Sequence, residues 1–217
     1  AHEAMWRRWC ELRPDLDRGG RLITLQLGAG SSMAAIDRGQ PLDTSMGFSP
    51  LEGLVMATRS GDLDPAIVPF LQTAAGLGPD EVLLLLLRES GLLGVSGLSA
   101  DMQTLLESAA PAARLAVDLY AYRARKSLGA YLAVLGGADG VVFGGGVGEN
   151  APPVREKIAA GMEWCGLVLD HAANRAARGE RRLSAPGSAI EAWVIPVDEE
   201  AVLAREAFRL VSAREEA

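Results

Sequence analysis

Four short stretches hold residues whose types and spacing can do chemistry. GAGSS (28–32) places two glycines and two hydroxyls directly after an apolar run. Gly28 and Gly30 let backbone amides approach an anion, and Ser31 and Ser32 add donors. An ordinary tight hairpin of small residues fits the same letters. GGGVGEN (144–150) leaves a second apolar run through Gly144, Gly145, Gly146, Val147, Gly148, Glu149 and Asn150. Four glycines in five positions exceed what a sharp turn needs, and the amino end of a following helix favours anions. The stretch matches neither G-x-G-x-x-G in register nor the Gly-Lys-Ser/Thr of a P-loop. It reads as a nucleotide site of another kind.

The other two stretches are charged. TRSGDLDP (58–65) sets Arg59 among small residues and two aspartates. Arg59 can clamp a transferring phosphoryl group, or pair with Asp62 or Asp64 and shape its loop. In PVDEE (196–200), Asp198 can cap a helix, with Glu199 and Glu200 in its first turn. A carboxylate there can also position magnesium through water. His2 lies at the edge of the chain and His171 on the expected surface, and neither forms a pattern.

The elements that must position these residues are read from apolar periodicity. A helix is expected over 3–13 and strands over 21–27 and 32–36. DRGQ (37–40) makes a turn, with a short third strand at Pro41-Leu42. A long loop over 43–65 follows, then helices over 65–75, 79–90, 99–108 and 111–135. VLLLLLR (82–88) reads as a buried helix. A strand over 140–143 leads into the glycines and a helix from Pro152 to Cys165. RAARGERR (175–182) reads as a surface loop, followed by a strand over 192–197 and a helix over 198–213. Strands alternating with helices make this an α/β domain, a mixed sheet flanked by helices. Ligands of such sheets gather at the carboxyl ends of strands, where three of the four stretches lie.

Composition narrows the class. The chain has 217 residues, enough for one large domain or one half of a two-lobed enzyme. Its net charge of −7 and lack of a basic run argue against nucleic acid. Two distant cysteines, Cys10 and Cys165, suit a reducing cytoplasm rather than a disulfide scaffold. The most apolar run is too short to span a bilayer, so no membrane association is expected. The start at Ala1, inside a helical pattern, raises the expectation that an upstream segment is missing.

RLITLQLGAGSSMAAI, DTSMGFSPLEGLVMATRSGDLDPAI, SGLLGVSGLSADM, FGGGVGEN and IPVDEE together resemble the acetate kinase family, which includes propionate and butyrate kinases. The resemblance runs from about Arg21 to Phe208 and matches the carboxyl-terminal half of the family. It implies residues 1–217 as a single nucleotide-binding lobe of the actin-like ATPase (ribonuclease H-like) fold, with the amino-terminal lobe absent. It implies ATP or ADP with Mg2+, a short-chain carboxylate as second substrate, and a homodimer. By resemblance, Gly28, Ala29, Gly30, Ser31 and Ser32 form the second phosphate loop. Gly144 to Asn150 form the adenosine loop, and Asp101 stands where a nucleotide contact is expected. Arg59 is the residue that stabilises the transferred phosphoryl group, Pro50 lines the acid's pocket, and Glu199 serves magnesium.

The chain also departs from the family. It has Gln26 where the family usually has His, Ala29 and Asp198 in place of Asn, and Gln103 in place of Arg. Gln26 donates hydrogen bonds without charge, and Ala29 has no side-chain donor. A non-catalytic nucleotide-binding or oligomerisation module is therefore the alternative to a phosphotransferase. The chain by itself is expected not to form acetyl phosphate. It is expected to self-associate, aided by Leu115, Leu119, Tyr122, Leu128 and Leu132 on the long helix.

Overall fold

The computed structural model describes residues 1–197 together with Ala204, Ala207 and Phe208. Its centre is a sheet in which β1 (Arg21–Leu27), β2 (Ser31–Asp37) and β3 (Gln40–Thr44) form an antiparallel meander. β4 (Gly140–Gly144) lies parallel to β1, and β6 (Glu191–Val194) lies parallel to β4. β5 (Arg181–Arg182) closes the far edge, giving the order β3-β2-β1-β4-β6-β5. β1 and β4 are central and covered on both faces, so RLITLQL and GVVFG are nearly continuous apolar runs. The β2–β3 turn places Arg38 and Gly39 at φ 45° and 78°, the twist that suits a two-residue hairpin.

One face is covered by α1 (His2–Leu12), which buries Met5 and Trp9 against Leu22, Ile36, Val142 and Ile195. The Trp9 indole donates to the Gly19 carbonyl at 2.8 Å, which satisfies its buried N–H. The other face carries the larger core. There α4 (Gly91–Ser96), α5 (Met102–Glu107), α6 (Pro111–Leu135) and α8 (Pro152–Ala159) pack together. α6 begins on Pro111 and stops at Gly136, whose left-handed conformation caps it. Ala113, Ala116, Ala121 and Ala124 lie on its buried side with Val117, Tyr120, Leu128, Tyr131 and Leu132.

The structure corrects several expectations. The helix foreseen from Pro152 to Cys165 ends at Ala159, because Ala160 turns extended and Gly161 takes φ 73°. A single 3₁₀ turn, Glu163–Cys165, follows. β6 ends at Val194 rather than 197. The surface loop at 175–182 shares its ends with α9 (His171–Ala176) and β5. α4 (Gly91–Ser96) lies in SGLLGVSG, a stretch for which no helix was expected. The helix 79–90 exists as α3 (Pro79–Arg88), but it is not buried: Val82 is its only buried residue, and Leu83 and Leu84 are half exposed. It pairs with α2 (Ile67–Ala74), which buries none of its residues. Among the described residues no single helix is long and apolar enough to cross a membrane. On α6, Leu115 and Tyr122 face outward, but Leu128 and Leu132 belong to the core. The helix expected over 198–213 lies largely outside the described residues.

Candidate active site

The parallel pairing of β1 with β4 builds the site. Gln26 stands opposite Gly144, so both strands release their chains at the same level. The Gly28–Gly30 turn and the glycine-rich stretch therefore emerge side by side, though most of the chain separates them. The first turn is tight, with the Gly28 amide donating to the Gly30 carbonyl at 3.0 Å. The Ala29 carbonyl accepts from the Ala57 amide at 3.1 Å, which latches the 43–65 loop onto it. The second stretch is not an open loop but a short helix, α7 (Gly145–Asn150).

A cleft of about 490 Å³ opens between them. Gly28 and Ala29 form one wall, Asp101 and Gln103 another, and Gly146, Val147 and Asn150 a third. Leu92, Met102 and Leu106 supply apolar surface. A mostly apolar concavity with a few polar groups is what a nucleoside-sized ligand requires. Ala57, Leu92, Met102, Gln103 and Leu106 escaped the sequence reading as lining residues. Met102 and Leu106 stand one helical turn apart on α5, a spacing that marks a shared face.

The predicted residues divide into those that face the cleft and those that hold it. Asp101 caps α5, accepting from the amide and hydroxyl of Thr104, each at 2.8 Å. These bonds hold its carboxyl below the usual range. The Gln103 amide donates to Glu107 at 2.9 Å. Each serine hydroxyl of the phosphate-side turn already has a partner. The Ser31 hydroxyl meets the buried Tyr120 hydroxyl at 2.9 Å, and Ser32 meets His2 at 2.8 Å. Glu149 also turns inward, where its carboxylate accepts from the amides of Gly145 at 3.1 Å and Val197 at 3.4 Å. It thereby ties α7 to the chain leaving β6. Asn150 donates to the Gly146 carbonyl at 3.0 Å.

Arg59 lies beside the first turn. A methyl group on Gly30 would sit 3.4 Å from its Nη1. The guanidinium donates to the Pro50 carbonyl at 3.1 Å, so the two residues assigned to catalysis and to the acid pocket touch. Its alternative role as a partner of Asp62 or Asp64 is not realised. Asp62 accepts from Arg123 at 2.9 Å and from the Gly53 amide at 2.7 Å, and Asp64 accepts from the Ala66 amide. The described residues gather no group of three or more His, Cys, Asp or Glu side chains able to hold a metal. Glu199 lies outside the described residues.

His2, which forms no pattern in the sequence, has a clear place in the structure. Its ring bridges the Thr24 hydroxyl at 2.7 Å and the Ser32 hydroxyl at 2.8 Å, pinning α1 to adjacent strands below the first turn. Burial lowers its pKa to about 4 from an ordinary value near 6.5. The native state then resists protonation that the unfolded chain accepts. His2's contribution to stability is complete above pH 6.5 and is lost as the pH falls toward 4. The loss amounts to about 3 kcal/mol at most. Urea unfolding at pH 7 and pH 4.5 should show wild type losing more stability than His2→Gln. Equal losses would remove this role.

Comparison with known proteins decides the family. The sequence pattern of the Acetokinase family matches residues 12–205. The chain belongs to the acetokinase family. This acetokinase chain is 51% identical over 195 residues to an acetate kinase of Solibacter usitatus, covering 88% of the chain and 47% of that relative. It is 48% identical over 200 residues to an acetate kinase of Chloroherpeton thalassium, covering 89% and 48%. The crystal structure of Porphyromonas gingivalis acetate kinase superimposes with a TM-score of 0.91 at 42% identity, covering 97% of the chain and 54% of that protein. A propionate kinase from Francisella tularensis gives 0.85 at 32%, covering 92% and 51%. The fold is thus that of the acetate kinases, the actin-like ATPase fold. This acetokinase chain spans about half the length of the curated relatives it matches.

Proposed function

We propose that this chain is the nucleotide-binding lobe of a phosphotransferase that moves the γ-phosphate of ATP to a short-chain carboxylate, forming an acyl phosphate such as acetyl phosphate. One observation carries the reading: a single cleft joins Gly28 and Ala29, Asp101, and Gly146, Val147 and Asn150, with Arg59 beside the first turn. A carboxylate oxygen would attack the γ-phosphorus in line while the bond to the β-phosphate oxygen breaks and ADP departs. Arg59 would balance charge on the phosphoryl oxygens, where such stabilisation counts most. Pro50 would border the alkyl group of the acid. Magnesium, when bound, supplies charge neutralisation on the phosphates, and Glu199 is the residue proposed to hold it through water. The names of the relatives support acetate and propionate as acceptors.

Phosphoryl transfer depends on positioning both substrates, and the chain spans only half of its catalytic relatives. We therefore assign it ADP binding without turnover when alone, pairing of two copies, and a reducing cytoplasm as its setting. A non-catalytic nucleotide module is favoured only by the neutral side chains at Gln26, Ala29 and Gln103. Titration calorimetry with ADP and magnesium chloride should give binding heat. A hydroxamate assay with acetate and ATP should give none of the acyl phosphate signal, and light scattering should give the mass of at least a dimer. No heat at millimolar ADP would sink the nucleotide reading. Turnover by the chain alone would show that one lobe suffices, and a clean monomer would end the pairing claim.

A further inference from the structure

The largest buried charge lies behind the cleft rather than in it. Arg155, in the first turns of α8, is 0% exposed. Among the described residues no carboxylate pairs with its guanidinium. Its hydrogen bonds go to neutral oxygens instead. Nη1 donates to the carbonyls of Gly148 at 2.8 Å and Glu149 at 2.9 Å. Nε donates to Asn174 Oδ1 at 2.7 Å, and Nη2 to the Asn174 carbonyl at 2.8 Å. Burial draws its pKa down to about 10, which still leaves it charged near neutrality. A buried, unpaired cation is costly, so its surroundings must compensate. The carbonyls of Gly148 and Glu149 are well suited to this, because the last carbonyls of a helix lack intrahelical partners and carry partial negative charge.

Asn174 is itself fully buried, and its Nδ2 donates to the Pro152 carbonyl at 3.0 Å. The guanidinium thus bolts the end of α7 to α9, and Asn174 in turn ties α9 to the start of α8. The other end of α7 is held by Glu149 through the Gly145 amide. Gly146, Val147 and Asn150 of this helix form a wall of the cleft, but Arg155 does not line that wall.

We propose that Arg155 is a positioning residue for nucleotide binding: it fixes α7 from beneath so that its outer face stays at the height the ligand needs. The proposal rests on the nucleotide reading of the cleft. A planar fork is required because two sets of acceptors must be met at once. A lysine in its place can serve one set or the other.

Arg155→Lys in the full chain tests this, with two readouts taken at 15 °C. Amide exchange in the ligand-free protein should rise at least tenfold across 145–150, with β1 and the middle of α6 unchanged. The Kd for ADP with magnesium chloride should rise about tenfold in the folded protein. If Arg155 only stabilises the fold, exchange will rise everywhere or nowhere, and the ADP affinity of folded molecules will stay the same. Either result overturns the proposal, as does faster exchange in α7 without weaker binding. Should Arg155→Lys fail to fold, Asn174→Ser removes the Oδ1 acceptor of Arg155 together with the Nδ2 donor to Pro152, leaves the Asn174 backbone carbonyl in place, and should give the same pattern at roughly threefold. Unchanged affinity in that variant is equally fatal. If wild type binds no ADP, the nucleotide reading itself fails, and exchange in α7 then shows whether Arg155 still holds the turn.

Discussion

Arg59→Ala lowers turnover by about a thousandfold or more in any preparation of this chain that phosphorylates acetate with the remaining lobe supplied. The melting temperature shifts by no more than about 3 °C. The asymmetry follows from what the guanidinium touches. Nη1 reaches only the Pro50 carbonyl and, at 3.5 Å, the Met56 sulfur. Among the described residues it forms no ion pair. The loop around it is held by other bonds: Asp62 to Gly53 and Arg123, Ala57 to Ala29, and the Met56 amide to the Arg59 carbonyl. Removing the side chain leaves these in place, so little folding energy is lost. A positive charge beside the Gly28–Gly30 turn would act chiefly on the phosphoryl oxygens during transfer. Steady-state kinetics and a thermal melt on the same sample check this. A large fall in melting temperature with activity per folded molecule preserved would assign Arg59 to the loop's architecture.

Gly146→Val should weaken ADP binding by at least a hundredfold while leaving stability near that of wild type. Gly145→Ala should do the reverse, lowering stability by about 2 kcal/mol or more. Adjacent glycines differ because they face opposite ways. At Gly145, φ is 76°, and a Cβ would lie 2.6 Å from the Leu27 carbonyl oxygen. That glycine lets α7 start directly against β1. At Gly146 a Cβ would meet nothing within 4 Å, and the residue lines the cleft. Side-chain bulk there collides only with a ligand. Calorimetry and urea unfolding on both variants separate the two requirements. Normal ADP affinity in Gly146→Val would place the nucleotide elsewhere.

The same contrast shows what the sequence could and could not disclose. Runs such as RLITLQL and GVVF declared buried strands, because a strand covered on both faces must be apolar throughout. GGGVGEN declared a close approach, because so many glycines serve little else. The letters did not say which glycine serves the backbone and which the ligand; that depends on Leu27, which the β1–β4 register alone brings near. The partners of Ser31 and Ser32 were hidden for a related reason. A hydroxyl beside a glycine turn looks available until Tyr120 and His2, both distant in sequence, arrive to claim it. Arg155 was silent because a lone arginine in a helical pattern normally reads as solvated. VLLLLLR pointed inward by hydropathy, yet α3 packs mainly on α2 at the margin of the domain. Burial depends on where an element docks as well as on what it contains.

The parallel seam between β1 and β4 also governs the order in which the chain can assemble. β1, β2 and β3 meet through short turns, so their pairing closes small loops and is entropically cheap. β4 joins β1 only after α2 to α6 have been laid down between them. Contacts of such long sequence separation come late and slowly. Until that seam closes, the Gly28–Gly30 turn has no opposite wall, and Gly146 faces nothing. The topology therefore favours pairing of the meander before the cleft is formed. On the proposed nucleotide reading, ADP would draw the folding equilibrium forward only once the last of these strands is seated.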